Sequence, residues 1–490
     1  MNSPMIRVIL GHIMKIEAAF MLLPCIVAVI YGENVGWTYL AIACITALLG
    51  VFMTLKKPAD SVMYLKEGSV ATVLGWVVLS LFGCLPFYFS GEIPSFTDAL
   101  FETISGFTTT GASILSDVEA LSHTALFWRS FTHWLGGMGV LVFLLAIVPL
   151  SGGSTINLMK AESPGPSVGK LVPKIKATAR TLYLIYTALT LMQIIFMVIG
   201  GCSLFDAVNL SFATAGTGGF GVRGDSLASY SPYIQWVVIV FMILFGVNFN
   251  AFYLITLGKI KDALHVEEVK YYLLIILSST AIIFINIFRT CKGIEEALRT
   301  SFFQVAAIIT TTGFATADFD TWNTTCKIVI VMLMFVGACA GSTGGGIKVS
   351  RFIVMFRTIK KEMNTYIHPK SVKKIMLEGK PVEHEVVRSI NVYMGTYIMI
   401  FAISIFLVSF NELDLITSFT AVATTINNVG PGLNLIGPTC NFGFLTPFTK
   451  YVLMIDMLAG RLELFPLLIL IQPKVIKGFF ERRPKVKKAE

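Results

Sequence analysis

A chain of 490 residues that is 55% hydrophobic and only 14% charged, with a mean hydropathy of +0.76, lies outside the range of water-soluble globular proteins. Its net charge of +9 would suit nucleic acid only if the basic residues formed a patch interleaved with base-stacking aromatics; they do not, so nucleic acid is excluded as a partner. What remains is an all-α polytopic membrane protein.

Apolar runs recur at roughly 8–31, 36–55, 69–90, 126–149, 182–200, 233–257, 271–288, 326–346, 389–410 and 450–472. Each is near the ~20 residues a helix needs to cross about 30 Å of hydrocarbon, so ten spanning helices are expected. The first run has no small-residue cleavage signature and is followed by a second, which reads as a retained helix rather than a signal peptide. Most Lys and Arg fall in the tails and in the alternate loops 56–68, 150–181, 258–270 and 347–388. The positive-inside rule then places both termini in the cytoplasm, and the same loops attract anionic membrane lipid. Cys25, Cys44, Cys84, Cys202, Cys291, Cys326, Cys339 and Cys440 lack metal-site spacing and read as packing residues, with a Cys291–Cys326 pair outside the membrane as the alternative.

Four segments align without gaps between the spans, each ending in glycine: DALFETISGFTTTG (98–111), DAVNLSFATAGTGG (206–219), TSFFQVAAIITTTG (300–313) and TSFTAVATTINNVG (417–430). Asp98, Asp206, Thr300 and Thr417 begin them and can cap a helix amino terminus. The apolar stretches that follow are too short to cross the bilayer, the mark of a re-entrant half-helix. Non-helical backbone after such a helix persists only inside protein or along a water-filled path. Glycine lets it pack closely with its carbonyls free, and a ring of carbonyls can replace the water shell of K⁺. The half-helices aim their negative carboxyl ends at the same axis.

At these residues the chain resembles the Trk/Ktr/HKT superfamily of K⁺ transporters, and most closely its Trk branch. SGFTTTGAS (105–113), TTTGFAT (310–316), NNVGPGLN (427–434), GSTGGGIK (341–348) and GRLELFP (460–466) carry the likeness over essentially the whole chain. The resemblance implies four fused helix–pore helix–helix units around a pseudo-fourfold pore, with two extra N-terminal spans. The expected divisions are 1–68 for the extra pair, then units at 69–181, 182–265, 266–388 and 389–490. It implies a K⁺ filter at Thr109, Thr110 and Gly111; Thr217, Gly218 and Gly219; Thr311, Thr312 and Gly313; and Asn428, Val429 and Gly430. In the second loop the register could shift by one, to Gly218.

The resemblance further implies a gate below the filter. Gly337, Gly341, Ser342, Thr343, Gly344, Gly345 and Gly346 interrupt the run 326–346, where glycine disfavours helix by about 1 kcal/mol per residue. They form either an unwound loop or a glycine-rich packing face. Arg461, inside the last run, is placed near the path, where it could repel a second cation or bond to that loop; Glu463 faces another side of the helix. Lys348 and Arg351 follow the loop, as topological charges or as contacts that sense its position. Glu102, in the first pore helix, needs a hydrogen-bond partner if buried. Asp117, Glu119, Asp225, Asp318 and Asp320 follow three of the filters and together could concentrate cations outside.

The resemblance implies a homodimer serving K⁺ uptake, K⁺ being the cargo, with a separate cytoplasmic nucleotide-binding ring of the TrkA type as regulatory partner. No nucleotide site is expected in the chain itself. Gly216–Gly221 matches GxGxxG without a βαβ unit, and GSTGGGIK has Ile347 where a phosphate loop needs lysine. An intramembrane enzyme would need a nucleophile and base, paired carboxylates or a metal set, and His12, His123, His133, His265, His368 and His384 form no such pattern.

Overall fold

The computed structural model describes residues 1–56, 58, 63–139, 175–370 and 373–480. The second part of the run 126–149, most of the loop 150–181 and the end of the basic tail lie outside the described residues.

The amino-terminal pair is α1 (Ser3–Phe20), continued by α2 (Leu22–Tyr31), and α3 (Gly36–Thr54). Asn2 caps α1 by accepting the Met5 N–H at 3.3 Å. α1 and α3 meet at Gly11 and Gly50, where a Cβ on either would come within 2.9 Å of the other's carbonyl oxygen. Small residues allow that approach in a membrane, where dispersion replaces hydrophobic driving force.

Four units of one plan follow. The first contains α4 (Leu65–Gly83), α5 (Leu85–Phe89), the pore helix α6 (Phe96–Phe107) and α7 (His123–Gly137). The second has α8 (Ile175–Ile199), the pore helix α9 (Leu204–Ala215), α10 (Pro232–Gly246), α11 (Phe249–Thr256) and α12 (Ile260–Leu264). The third has α13 (Glu267–Ile287), the pore helix α14 (Ile294–Ile309), α15 (Thr324–Phe335) and α16 (Val349–Ile367), then a two-stranded hairpin, β1 (Met376–Leu377) and β2 (Lys380–Pro381). The fourth has α17 (His384–Val408), the pore helix α18 (Leu415–Ile426), α19 (Pro447–Arg461), α20 (Phe465–Ile471) and α21 (Pro473–Phe480).

The pore helices begin upstream of the predicted caps. Ser95, Ser203 and Asp414 are the caps, and their side-chain oxygens accept the N–H of Asp98, Asp206 and Thr417 at 3.4, 3.0 and 3.0 Å. Asp98 and Asp206 therefore stand in the first turn, where a carboxylate suits the helix dipole. Thr300 lies inside α14, which starts after Gly293.

Ten continuous spans is also corrected. Among the described residues six helices are long and apolar enough to cross unbroken, and the pair α10–α11, bent by 89°, is a broken span or a re-entrant loop. The run 233–257 breaks because Val247 is extended and Asn248 starts a new helix, accepting the Asn250 N–H at 2.9 Å. The run 450–472 breaks where Glu463 and Leu464 take φ of 54° and 67° before Pro466, whose ring cannot continue the preceding turn. The run 326–346 ends as helix at Phe335, and Val336–Lys348 is not helical, so the packing-face alternative falls. Cys291 and Cys326 are both free thiols, like the other six cysteines.

Candidate ion pathway

Each pore helix ends in the same way. The N–H groups of Thr109, Thr217, Thr311 and Asn428 reach back to Gly106, Thr214, Ile308 and Thr425 at 3.0–3.1 Å; those of Thr110, Gly218, Thr312 and Val429 reach Ser105, Ala213, Ala307 and Thr424 at 2.8–2.9 Å. This paired closure is the Schellman cap, which demands a left-handed residue at its turn. Thr109, Thr217, Thr311 and Asn428 supply it, with φ of 56°, 55°, 59° and 54°. Two residues on, Gly111, Gly219, Gly313 and Gly430 have φ of 78°, 79°, 77° and 99°.

These glycines close a ring. A Cβ on Gly111 would lie 2.0 Å from the carbonyl oxygen of Gly218, one on Gly219 1.9 Å from that of Thr312, one on Gly313 2.1 Å from that of Val429, and one on Gly430 2.7 Å from that of Thr110. Each unit thus abuts the next and the fourth returns to the first. In the second loop Gly219 occupies the place of the other three glycines, and Gly218 presents the abutting carbonyl. All four glycines line one outer cavity of about 130 Å³.

Behind the ring, Glu102 and Arg129 are buried at 1% and 3% exposure. Arg129 donates from Nε to Glu102 at 2.6 Å and from Nη1 to the Gly221 carbonyl at 2.9 Å, with its guanidinium 3.5 Å from the centre of the Phe220 ring. Glu102 also accepts from Ser113 Oγ and the Ile114 N–H, both at 2.9 Å. The pair joins α6 to the loop that follows α9. Lys450 does the same between fourth and first units, donating to Asp98 Oδ1 at 2.6 Å. Sequence reasoning foresaw that Glu102 needs a partner but missed Arg129, although a charge inside the run FWRSFTHW was itself the signal.

The outer carboxylates do not gather at the mouth. Asp117, Glu119, Asp225 and Asp318 accept from Glu119 N, Gly224 N, Ser229 Oγ and Asp320 N, and Asp320 pairs with Lys327 at 2.9 Å. Among the described residues the cavity is lined by Arg129 and Arg223 instead.

On the other side of the ring the non-helical loop presses against the ring backbone. Gly345 donates its N–H to Thr311 Oγ1 at 2.7 Å. A Cβ on Gly345 would meet the Asn427 carbonyl oxygen at 2.6 Å, and one on Gly344 the Thr310 oxygen at 3.0 Å. Gly337 N–H to Ile347 O at 2.9 Å closes the neck. Lys348 Nζ bonds the carbonyls of Gly344 and Gly345, the latter at 3.1 Å. Arg461, the last residue of α19, donates to Thr343 O at 2.9 Å, Gly137 O at 2.7 Å and Gly136 O. Glu463 pairs with Arg351. Gly341, Ser342, Gly344–Gly346, Lys348, Arg461 and Trp76 help line an inner cavity of about 140 Å³.

The fourfold ring thus lies between two cavities, with the glycine loop beneath it bonded by Lys348 and Arg461. The sequence pattern of the TrkH family, described as "Cation transport protein", matches residues 38–482. The chain belongs to the TrkH family. It is 33% identical over 476 residues to the Trk system potassium uptake protein TrkH of Salmonella typhimurium, covering 95% of this chain and 97% of that one. It is 32% identical over 494 residues to the Trk system potassium uptake protein TrkG of Escherichia coli, covering 98% and 100%. The crystal structure of the potassium transporter TrkH from Vibrio parahaemolyticus superposes with a TM-score of 0.87 at 29% identity, over 97% of this chain and 100% of that one. TrkH-family membership makes this a transport protein, not an enzyme.

Proposed function

We propose that the chain carries out potassium uptake across the cytoplasmic membrane of a prokaryote. K⁺ passes through Thr109–Gly111, Thr217–Gly219, Thr311–Gly313 and Asn428–Gly430, and Gly341–Gly346, with Gly337, Lys348 and Arg461, forms the gate on the inner side. The observation that carries this reading is the closed ring, in which each of four glycines lies against the preceding residue's carbonyl in the next unit. Carbonyls around such an axis can exchange for the hydration shell of K⁺, and the carboxyl ends of four half-helices add a negative potential. The relatives' printed names, Trk system potassium uptake proteins, support K⁺ as the ion.

Each loop offers one matched glycine rather than the paired glycines of TVGYG, hence fewer shared carbonyl positions. That observation favours, as second reading, a less selective or Na⁺-carrying relative. The proposal includes cytoplasmic termini, a homodimer, and a TrkA-type nucleotide-binding ring on the basic cytoplasmic face; the relatives' "Trk system" names support a multi-component assembly.

Flux of the purified, reconstituted chain under imposed K⁺ and Na⁺ gradients tests the ion. Transport that follows the K⁺ gradient supports the first reading; transport that follows Na⁺ equally well supports the second and overturns the first.

A further inference from the structure

One buried carboxylate grips the loop at both ends. Glu268 lies in the first turn of α13, 4% exposed. Its Oε1 accepts the Ala340 N–H at 2.7 Å and the Ser350 N–H at 3.0 Å; its Oε2 accepts Asn248 Nδ2 at 3.3 Å. Ala340 precedes Gly341, and Ser350 is in the first turn of α16, so a single oxygen spans the eight-residue stretch 341–348 and what flanks it. Asn248 is the residue at the break between α10 and α11, and that break bonds the same stretch: Phe249 N–H to Gly341 O and Cys339 N–H to Gly246 O, each at 3.1 Å.

The chemistry of these bonds is directional. Hydrogen bonds to an ionised carboxylate are short and strong, and Glu268 sits near the amino terminus of α13, where the helix dipole favours negative charge. The loop's inner contacts, Gly345 to Thr311 and Arg461 to Thr343, fix where its tip rests. Both ends of the stretch are thus held by one carboxylate, so a movement of the tip that carries Ala340 or Ser350 with it breaks a bond to Glu268.

We propose that Glu268 is a positioning residue that latches the loop shut by pinning both of its ends, and that loss of this latch opens the inner side of the pathway. The proposal rests on the reading of Gly341–Gly346 as the gate.

The test compares Glu268→Ala and Glu268→Gln with wild type in proteoliposomes, by K⁺ flux and by labelling of the native Cys339, which is buried beside the latch. Labelling uses a membrane-impermeant maleimide and is located by peptide mass. Glutamine keeps an oxygen that accepts both N–H groups; alanine keeps none. The expected result is a several-fold rise in basal flux and fast Cys339 labelling for Glu268→Ala, with Glu268→Gln close to wild type on both. Where Glu268→Ala does not fold, Glu268→Asp, too short to reach both ends, replaces it with the same expected direction. Deletion of Gly344–Gly346 runs alongside. If the deletion raises flux while the Glu268 variants leave flux and labelling unchanged, the latch is overturned and the gate stands. If neither raises flux, the gate reading fails and the latch with it.

Discussion

Threonine is a costly choice for a left-handed turn, yet Thr109, Thr217 and Thr311 hold φ near 55–59° at full burial. A β-branched residue there stores about 1–2 kcal/mol of strain, which the two backbone bonds of each Schellman cap oppose. The glycine two residues on is constrained twice, by its positive φ and by the neighbouring carbonyl. Gly313→Ser would force a Cβ to within 2.1 Å of Val429 O. K⁺ uptake by this variant should fall and Na⁺ should compete better, read by uptake at low K⁺ with rising Na⁺. The buried Glu102–Arg129 pair makes a separate prediction: Arg129→Ala leaves a carboxylate stranded in the core and should cost about 3–5 kcal/mol, seen as a large drop in the detergent melting temperature. At this scale the sequence was informative about glycines, because spacing and repetition are visible in letters. It was silent on the left-handed threonines, since no propensity marks a residue held against its preference. Arg129 was legible but unread, its charge hidden among aromatics.

The helices were found by hydropathy, but their interruptions were not. Hydropathy averages over windows, so the runs 233–257 and 450–472 read as continuous although Val247 and Leu464 break them. Only the glycine density at 337–346 announced its own break. If that stretch closes the path, deleting Gly344–Gly346 should raise basal K⁺ flux at unchanged folding, while unchanged conductance would contradict its role as a gate. A pH dependence belongs to the turn between α2 and α3. Burial would raise the Glu33 carboxyl, but hydrogen bonds from the Thr124 and His123 side chains and N–H groups, at 2.6–2.9 Å, outweigh it and hold the carboxyl below its ordinary value. A lowered folded-state pKa stabilises above the unfolded value and is lost as pH falls through the folded one. Acid titration below the ordinary carboxylate range should therefore loosen this contact in wild type, and Glu33→Gln should show a flatter stability profile there; identical profiles would contradict the role given to Glu33.

Across the whole molecule, four units of unlike sequence build one ring, and the links between them are as specific as the ring itself: Arg129 to Gly221 O, Lys450 to Asp98, Leu227 N–H to Ala315 O at 3.0 Å. The repeat made the fourfold plan readable from sequence, because each unit carries its own copy of the signal. The links were not readable, since each joins residues distant in the chain and occurs once. Asymmetry follows from the same fact: among the described residues the third unit supplies the inner loop and the fourth supplies Arg461. We propose that this ring selects K⁺ by its backbone. The reversal potential of the purified chain in a planar bilayer, with K⁺ on one side and Na⁺ on the other, tests it most directly. Backbone selection predicts a potential displaced strongly toward the K⁺ equilibrium value, reduced in Gly313→Ser; a potential near zero in the wild type, or one unchanged by that substitution, would contradict it.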